Sequence, residues 1–182
     1  MVYRFKLVSD EVSNFARQIE IDSEATFLDL RKAILDSVGF HDTEIDSFFI
    51  CNDGWEREQE VTLIDMGSAS DQDIYVMGDT RLEELIEDEG QRLVFVFDYL
   101  TDRSFFMELK EVEPGVSLDA PRCTVSKGNP PAQTVNLDEF DSAIDAAAAK
   151  ATASADSDIF GDEYGDGYDD EDLAGLNDDT EF

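Results

Sequence analysis

Apolar and polar positions alternate from the first residues of the chain. Tyr3, Phe5 and Leu7 fall on one parity, with Arg4 and Lys6 on the other. This is the period-two pattern of a half-buried strand. After a polar break from Asp10 to Asn14, the alternation returns over residues 15–21 with Phe15, Ile19 and Ile21. The two segments predict a hairpin with a longer loop. The period then changes: Phe27, Leu30, Ile34 and Val38 follow at helical spacing. Thr26 and Asp29 make a capping-box pair at the start of this helix. Gly39 stands where a left-handed C-terminal cap belongs.

Further along, Phe48-Phe49-Ile50-Cys51 reads as a short strand closed by the turn signal Asn52-Asp53-Gly54. Residues 59–64 suit another strand, Asp65 to Asp73 a loop, and Ile74 to Met77 a short apolar run. Thr80 to Gly90 predicts a short helix with Leu82, Leu85 and Ile86 on one face. Leu93-Val94-Phe95-Val96-Phe97 is continuously apolar, as expected of a central strand buried on both faces. Phe105 to Glu111 is expected to pair with it across the Thr101-Asp102-Arg103 turn, and Pro114 to Pro131 reads as irregular. Asn136 and Glu139 suit the start of a last helix, with Phe140 and Ile144 one turn apart. The order strand, strand, helix, strand, then further strands gives an α+β fold with a mixed sheet. It resembles the β-grasp (ubiquitin-like) arrangement. The expected organisation is a folded domain over residues 1–135, a C-terminal helix over 136–154 and an acidic tail over 155–182. The tail's composition favours disorder.

Charge narrows the function classes. The chain has 45 Asp and Glu against 13 Lys and Arg, a formal net of −32. Residues 137–182 hold 16 acids and one base, and residues 1–136 hold 29 acids and 12 bases. The folded part is therefore acidic in its own right. Nucleic-acid binding draws its affinity from Lys and Arg displacing counterions, so direct nucleic-acid binding is not expected. Anionic membranes are disfavoured for the same reason, and no apolar run reaches membrane-spanning length. Basic proteins are the favoured partners. The start of the chain has no hydrophobic signal core. The two cysteines, Cys51 and Cys123, form no framework, so a reducing cytoplasm is the simplest setting.

Several segments together carry a family resemblance. A hairpin with Arg17 in its second strand precedes a capped helix and a Gly39-Phe40 pair. Leu82-Glu83-Glu84-Leu85 then leads into Leu93-Val94-Phe95-Val96-Phe97-Asp98-Tyr99. Pro121-Arg122-Cys123 and Gly128-Asn129-Pro130-Pro131 come last. This succession resembles the plasmid pRiA4b ORF-3-like family over roughly residues 2–135. The family usually carries an aromatic-Asp-Phe-Gly-Asp stretch; here Asp98 is kept and Tyr99 to Phe106 replace the rest, which marks a divergent branch. The resemblance implies a structural role for Cys123. It also implies a resolvase label borrowed from a transposon-encoded protein, without implying the chemistry.

The candidate residues have structural readings beside functional ones. A recombinase needs a nucleophile among several Arg or His residues that hold the scissile phosphate, whereas this chain has one His and scattered Arg. His41, in the polar run after the helix, pairs with Asp42 in principle as a general base, but no nucleophile sits in a recognisable motif. It reads more simply as a loop residue. Arg17 lies on the apolar parity of its strand, and a buried Arg needs a partner. Asp98 is one, and an edge position with the head group in water is the alternative. Asp98, Asp102 and Arg103 cluster at a strand end, as turn chemistry first and a site second. Cys51 reads as a small core residue. Two Cys and one His fall short of the four ligands of structural zinc, and the tail segment from Asp162 breaks the calcium-loop pattern at Tyr164 and Leu173. No metal or cofactor is expected. In the tail, Phe160, Tyr164, Tyr168 and Phe182 alternate with acids, a pattern suited to a basic groove.

The reading that follows is a non-enzymatic interaction module that binds a basic protein. One alternative is an enzyme with a site near Asp98, Asp102 and His41. The other is a mobile-element-associated protein without DNA chemistry of its own.

Overall fold

The computed structural model describes residues 1–65, 67 and 74–135, which belong to the unit Met1–Val135. The helix expected over 136–154, the tail over 155–182 with its aromatic residues, and most of the Asp65–Asp73 loop lie outside the described residues. Ten elements follow one another: β1 Val2–Ser9, β2 Ala16–Asp22, α1 Phe27–Val38, β3 Ser47–Cys51, β4 Arg57–Thr62, β5 Tyr75–Val76, a single 3-10 turn Leu82–Glu84, β6 Arg92–Asp98, β7 Arg103–Glu113 and β8 Arg122–Lys127. The strands form one eight-stranded sheet in the order β5-β4-β3-β6-β7-β1-β2-β8. All neighbours are antiparallel except the short β4–β5 pair at one edge. The fold is α+β with a mixed sheet.

The β1–β2 hairpin and α1 form for the reasons the pattern gives. The Thr26 hydroxyl accepts a bond from the Asp29 amide at 3.2 Å, and the Asp29 carboxylate accepts one from the Thr26 amide at 3.0 Å. Two of the helix's orphan donors are thereby satisfied. Gly39 closes the helix at φ 70°, and the Phe40 amide reaches back to the Leu35 carbonyl at 3.0 Å. A residue with Cβ would be disfavoured at that φ. The apolar face of α1 covers one face of the sheet, where Phe5, Leu7, Ile19, Phe48, Phe95 and Phe105 are fully buried. The strand-strand-helix-strand start is present. β1, however, lies between β2 and β7, antiparallel to both, so the likeness to a β-grasp goes no further than that start.

β6 is buried on both faces. Leu93, Phe95 and Phe97 join the core under α1. Val94 and Val96 join Cys51 in a smaller cluster on the opposite face, packed by Phe49, Trp55 and Phe106. No described element lies over that second face, which we call the open face.

Two expectations are corrected. The segment from Thr80 to Gly90 is a 3-10 turn, not a helix. Leu82 and Ile86 are buried as expected. The Gln91 side chain, however, accepts from the Glu87 amide at 3.0 Å and donates to the Leu85 carbonyl at 2.7 Å. These bonds take the place of a helical ladder, which is in any case marginal in so short a segment. The irregular Pro114–Pro131 segment contains β8, which pairs with β2 at the sheet edge. Every residue of β8 is exposed, so it has no buried face to produce an alternating pattern.

On the open face, the outer strands are tied by charge. Glu20 of β2 accepts from Arg4 of β1 at 2.9 Å and from Arg122 of β8 at 2.6 Å. The Arg122 bonds, with Arg4 adding to them against the cost of burial, hold the Glu20 carboxyl below its ordinary value. A lowered folded value means that Glu20 contributes stability above the ordinary carboxyl range, about 4.3. That contribution is lost as pH falls through the folded value. Wild-type protein is therefore expected to lose stability on acidification more steeply than Glu20→Gln, as read by urea midpoints across pH 3–6. Parallel curves for the two proteins would contradict this.

Candidate functional site

The structure divides the candidate residues between two clamps and a turn. Arg17 is 4 % exposed and points under the end of α1. Its Nε–H donates to the Ser37 carbonyl at 3.0 Å. Nη1 donates to the carbonyls of Ala16 at 2.9 Å and Lys127 at 2.8 Å, and Nη2 to that of Gly128 at 3.2 Å. The guanidinium also lies over the Phe15 ring, 4.6 Å from its centroid. The pairing with Asp98 is not made, and the head group does not reach water. Carbonyls at a helix C-terminus carry partial negative charge, and a rigid fork of five donors can satisfy itself on carbonyls alone. Gly128 sits against this clamp at φ 67°, and a Cβ there would meet the Asn14 carbonyl oxygen at 2.6 Å.

Arg103 forms the second clamp, at the start of β7. It pairs with Glu11 of the β1–β2 loop at 2.9 Å and stands 3.8 Å from Asp98. It also donates to the Ala132 carbonyl at 2.6 Å and covers the Phe97 ring. Gln133 extends the network. Its side chain accepts from the His41 amide at 2.7 Å and donates to the His41 carbonyl at 2.6 Å. His41 thus takes part through its backbone, as an exposed loop residue. Asp98 chiefly builds the turn, accepting from the Leu100 amide at 3.0 Å and the Thr101 hydroxyl at 2.7 Å. Asp102 turns away from this group and pairs with Arg57 of β4 at 2.9 Å. Asp98, Arg103 and His41 are linked through one network, Arg17 belongs to a neighbouring one, and Asp102 to neither.

The model of the plasmid pRiA4b ORF-3-like protein family matches residues 2–174. The chain belongs to this family. No curated protein matches it. Among solved structures, a protein of unknown function from Methanosarcina mazei Go1 is 19 % identical. The match covers 69 % of this chain and 68 % of that one, with a TM-score of 0.53, and it supports the fold alone.

In this pRiA4b ORF-3-like chain, the residues that carry the resemblance gather at one end of the sheet. Arg17 holds Gly128 of the Gly-Asn-Pro-Pro segment. Phe40, after Gly39, packs on Phe97 and Phe105 at 5.3 and 5.8 Å between centroids. Arg103 holds the residues just after Pro131. The two arginines therefore fasten one strap, residues 127–133, by its carbonyls. Two prolines leave that strap short of amide donors, so side chains from the body of the domain must hold it. Cys123 lies exposed on β8. Cys51 is packed, and burial pushes its thiol up, as for a small core residue.

Three features escaped the pattern reading. Arg31 is 1 % exposed. Its Nε–H donates to both Asp46 carboxylate oxygens at 2.6 and 2.8 Å, and Nη2 to Asp42 at 2.6 Å. Its place one residue after Leu30, on the helix face toward the core, was the available signal. On the open face, Ser47 and Tyr99 share Glu60, at 2.8 Å each. Burial, chiefly, with Glu60 adding, raises the Tyr99 hydroxyl to about 12. Nothing in the local sequence brings Ser47, Glu60 and Tyr99 together. Among the described residues, no group of three or more His, Cys, Asp or Glu is arranged to hold a metal ion. No described helix is long and apolar enough to cross a membrane.

Proposed function

We propose that this domain is a non-enzymatic interaction module that engages a basic protein through its acidic surface. The observation that carries the reading is the division of labour among charges. The arginines are drawn into structural bonds: Arg4, Arg31, Arg57, Arg103 and Arg122 all pair with carboxylates. Glu84, Glu87, Asp88 and Glu89 face water on a ridge anchored by the buried Leu82 and Ile86. The Tyr3 hydroxyl, bonded to the Ile86 carbonyl at 2.7 Å, sits in their field. Burial first, then Glu83 and Glu87, raise its pKa. Residues 137–182 add 16 acids and one base to the same chain. Such a field speeds encounter with basic partners and is screened by salt. The clamps at Arg17 and Arg103 support the same reading, because they serve to hold a strap.

The test is a pull-down from host lysate with full-length protein and with Glu84→Gln/Glu87→Gln/Asp88→Asn, over a salt series. A basic protein retained at low salt, released by added salt and weakened by the triple variant is expected. Capture indifferent to both salt and the variant would remove the electrostatic basis of the proposal.

A further inference from the structure

We propose that the open face of the sheet is where a second copy of this chain docks, sheet against sheet. The first ground is charge. Six of the folded part's twelve bases, Arg4, Lys6, Arg57, Arg92, Lys110 and Arg122, stand on this face. Glu20 and Asp22 of β2, Glu60 of β4 and Glu108, Glu111 and Glu113 of β7 stand among them. The face is near balance, and the remaining surface carries most of the net negative charge of a −32 chain. Two such chains repel one another everywhere except where acids and bases are interleaved. A two-fold axis also sets every acid of one copy within reach of bases of the other.

The second ground is an apolar centre. Phe49, Trp55 and Phe106 lie half-buried over Cys51, Val94 and Val96. Aromatic residues and Arg are the types enriched where proteins meet, and Arg57 and Arg92 stack on the rings of Phe49 and Trp55 at 4.8 and 5.1 Å. Sheet faces of this kind commonly pack on one another through interdigitated side chains.

The third ground is strain. Trp55 has φ 65°, a conformation that bulky residues rarely adopt. The Asn52 side chain enforces it by accepting from the Gly54 and Glu56 amides at 2.8 and 3.1 Å, and the Trp55 amide donates to the Asn52 carbonyl at 3.0 Å. Arg92 donates to the Asp53 carbonyl and locks the same turn. The result lays the indole edge-on to Phe106 at 5.2 Å. A turn closed with glycine at that position would avoid the strain and leave no ring on the face.

Trp55 is the one tryptophan of the chain, so its emission reports this face directly. The experiment is sedimentation of the full-length protein over concentration and salt, with Trp55 emission read in parallel. Salt shortens the range of repulsion between the acidic surfaces, from about 10 Å at 0.1 M to about 3 Å at 1 M. Self-association is therefore expected to tighten about tenfold across that range, with a blue shift of the emission that tracks the dimer. Trp55→Gly removes the ring and relieves the positive φ, so the variant should melt normally and remain monomeric. A chain monomeric at every salt and concentration overturns the inference. A dimer with unmoved emission, or one undiminished in Trp55→Gly, does the same. An emission shift seen only when a basic polypeptide is added, with the chain monomeric, assigns the face to that partner instead. Capture of a basic partner weakens with salt while self-association strengthens, so failure of either proposal leaves the other legible.

Discussion

Arg31→Ala is expected to destabilise the fold by about 3–5 kcal/mol, the range for removing one partner of a buried ion pair. The guanidinium is the largest fully buried side chain in the domain and the only cation on Asp46, which is itself 3 % exposed. Without Arg31, the Asp46 carboxylate is left in an apolar surround and must either protonate or admit water. Asp42, 68 % exposed, keeps its solvation and loses little. For a domain of this size the loss lowers the melting temperature by on the order of 10–20 °C. The argument also fixes the sign of a double substitution. Arg31→Met/Asp46→Leu removes both charges and refills the volume, and replacing a buried pair with apolar side chains is often close to neutral. The double variant is thus expected to be more stable than Arg31→Ala. Urea denaturation of the wild type and the two variants decides the matter. Equal losses in the single and double variants would mean that the pair is not coupled. A loss below about 1 kcal/mol in Arg31→Ala would mean that Asp46 is not held by it.

Arg31 also shows how much of the domain could be read from pattern. The elements with a buried face announced themselves: β1 and β2 by alternation, α1 by its spacing and caps, and β6 by its continuous apolar run. β8 did not, because an edge strand exposed along its whole length leaves no hydrophobic parity. The Leu82–Glu84 turn was mistaken for a helix because buried residues at 82 and 86 fit helical spacing whether or not a ladder forms between them. The site residues were legible as types and illegible as partners. Arg17 was recognisable as a charge on a core parity. That its partners are carbonyls of residues 37, 127 and 128 depends on where a helix ends and an edge strand begins. Asp98, Asp102 and Arg103 adjoin in sequence, yet the turn sends Asp102 to Arg57 across the sheet and leaves Arg103 to Glu11. The reading of Asp98 as turn chemistry first agrees with its bonds to Leu100 and Thr101.

Arg17→Leu is the second substitution with a large expected effect, and its effect is regional. The side chain makes four hydrogen bonds to carbonyls, three of them on the end of α1 and on the strap. Bonds from charged donors contribute about 1.5–3 kcal/mol each when lost singly, but they share one guanidinium and do not add. A total near 2–4 kcal/mol is the consistent expectation. The loss should fall on β8 first. β8 is exposed along its length, pairs with β2 alone, and is tied to the rest by Glu20 at one end and Arg17 at the other. Removing the Arg17 tie frees Lys127 and Gly128, and the strand is then expected to open without the sheet unfolding, as weakly packed edges do. Amide hydrogen exchange of the full-length protein should show faster exchange across residues 122–128, with β6 and β7 unchanged. Arg17→Lys can reach one or two of these carbonyls but cannot span all four, so its exchange should lie between wild type and Arg17→Leu. Unchanged protection of β8 in Arg17→Leu would show that strand pairing alone holds this edge. The Gly128–Gln133 strap would then rest on Arg103 and on the mutual bonds between Gln133 and His41.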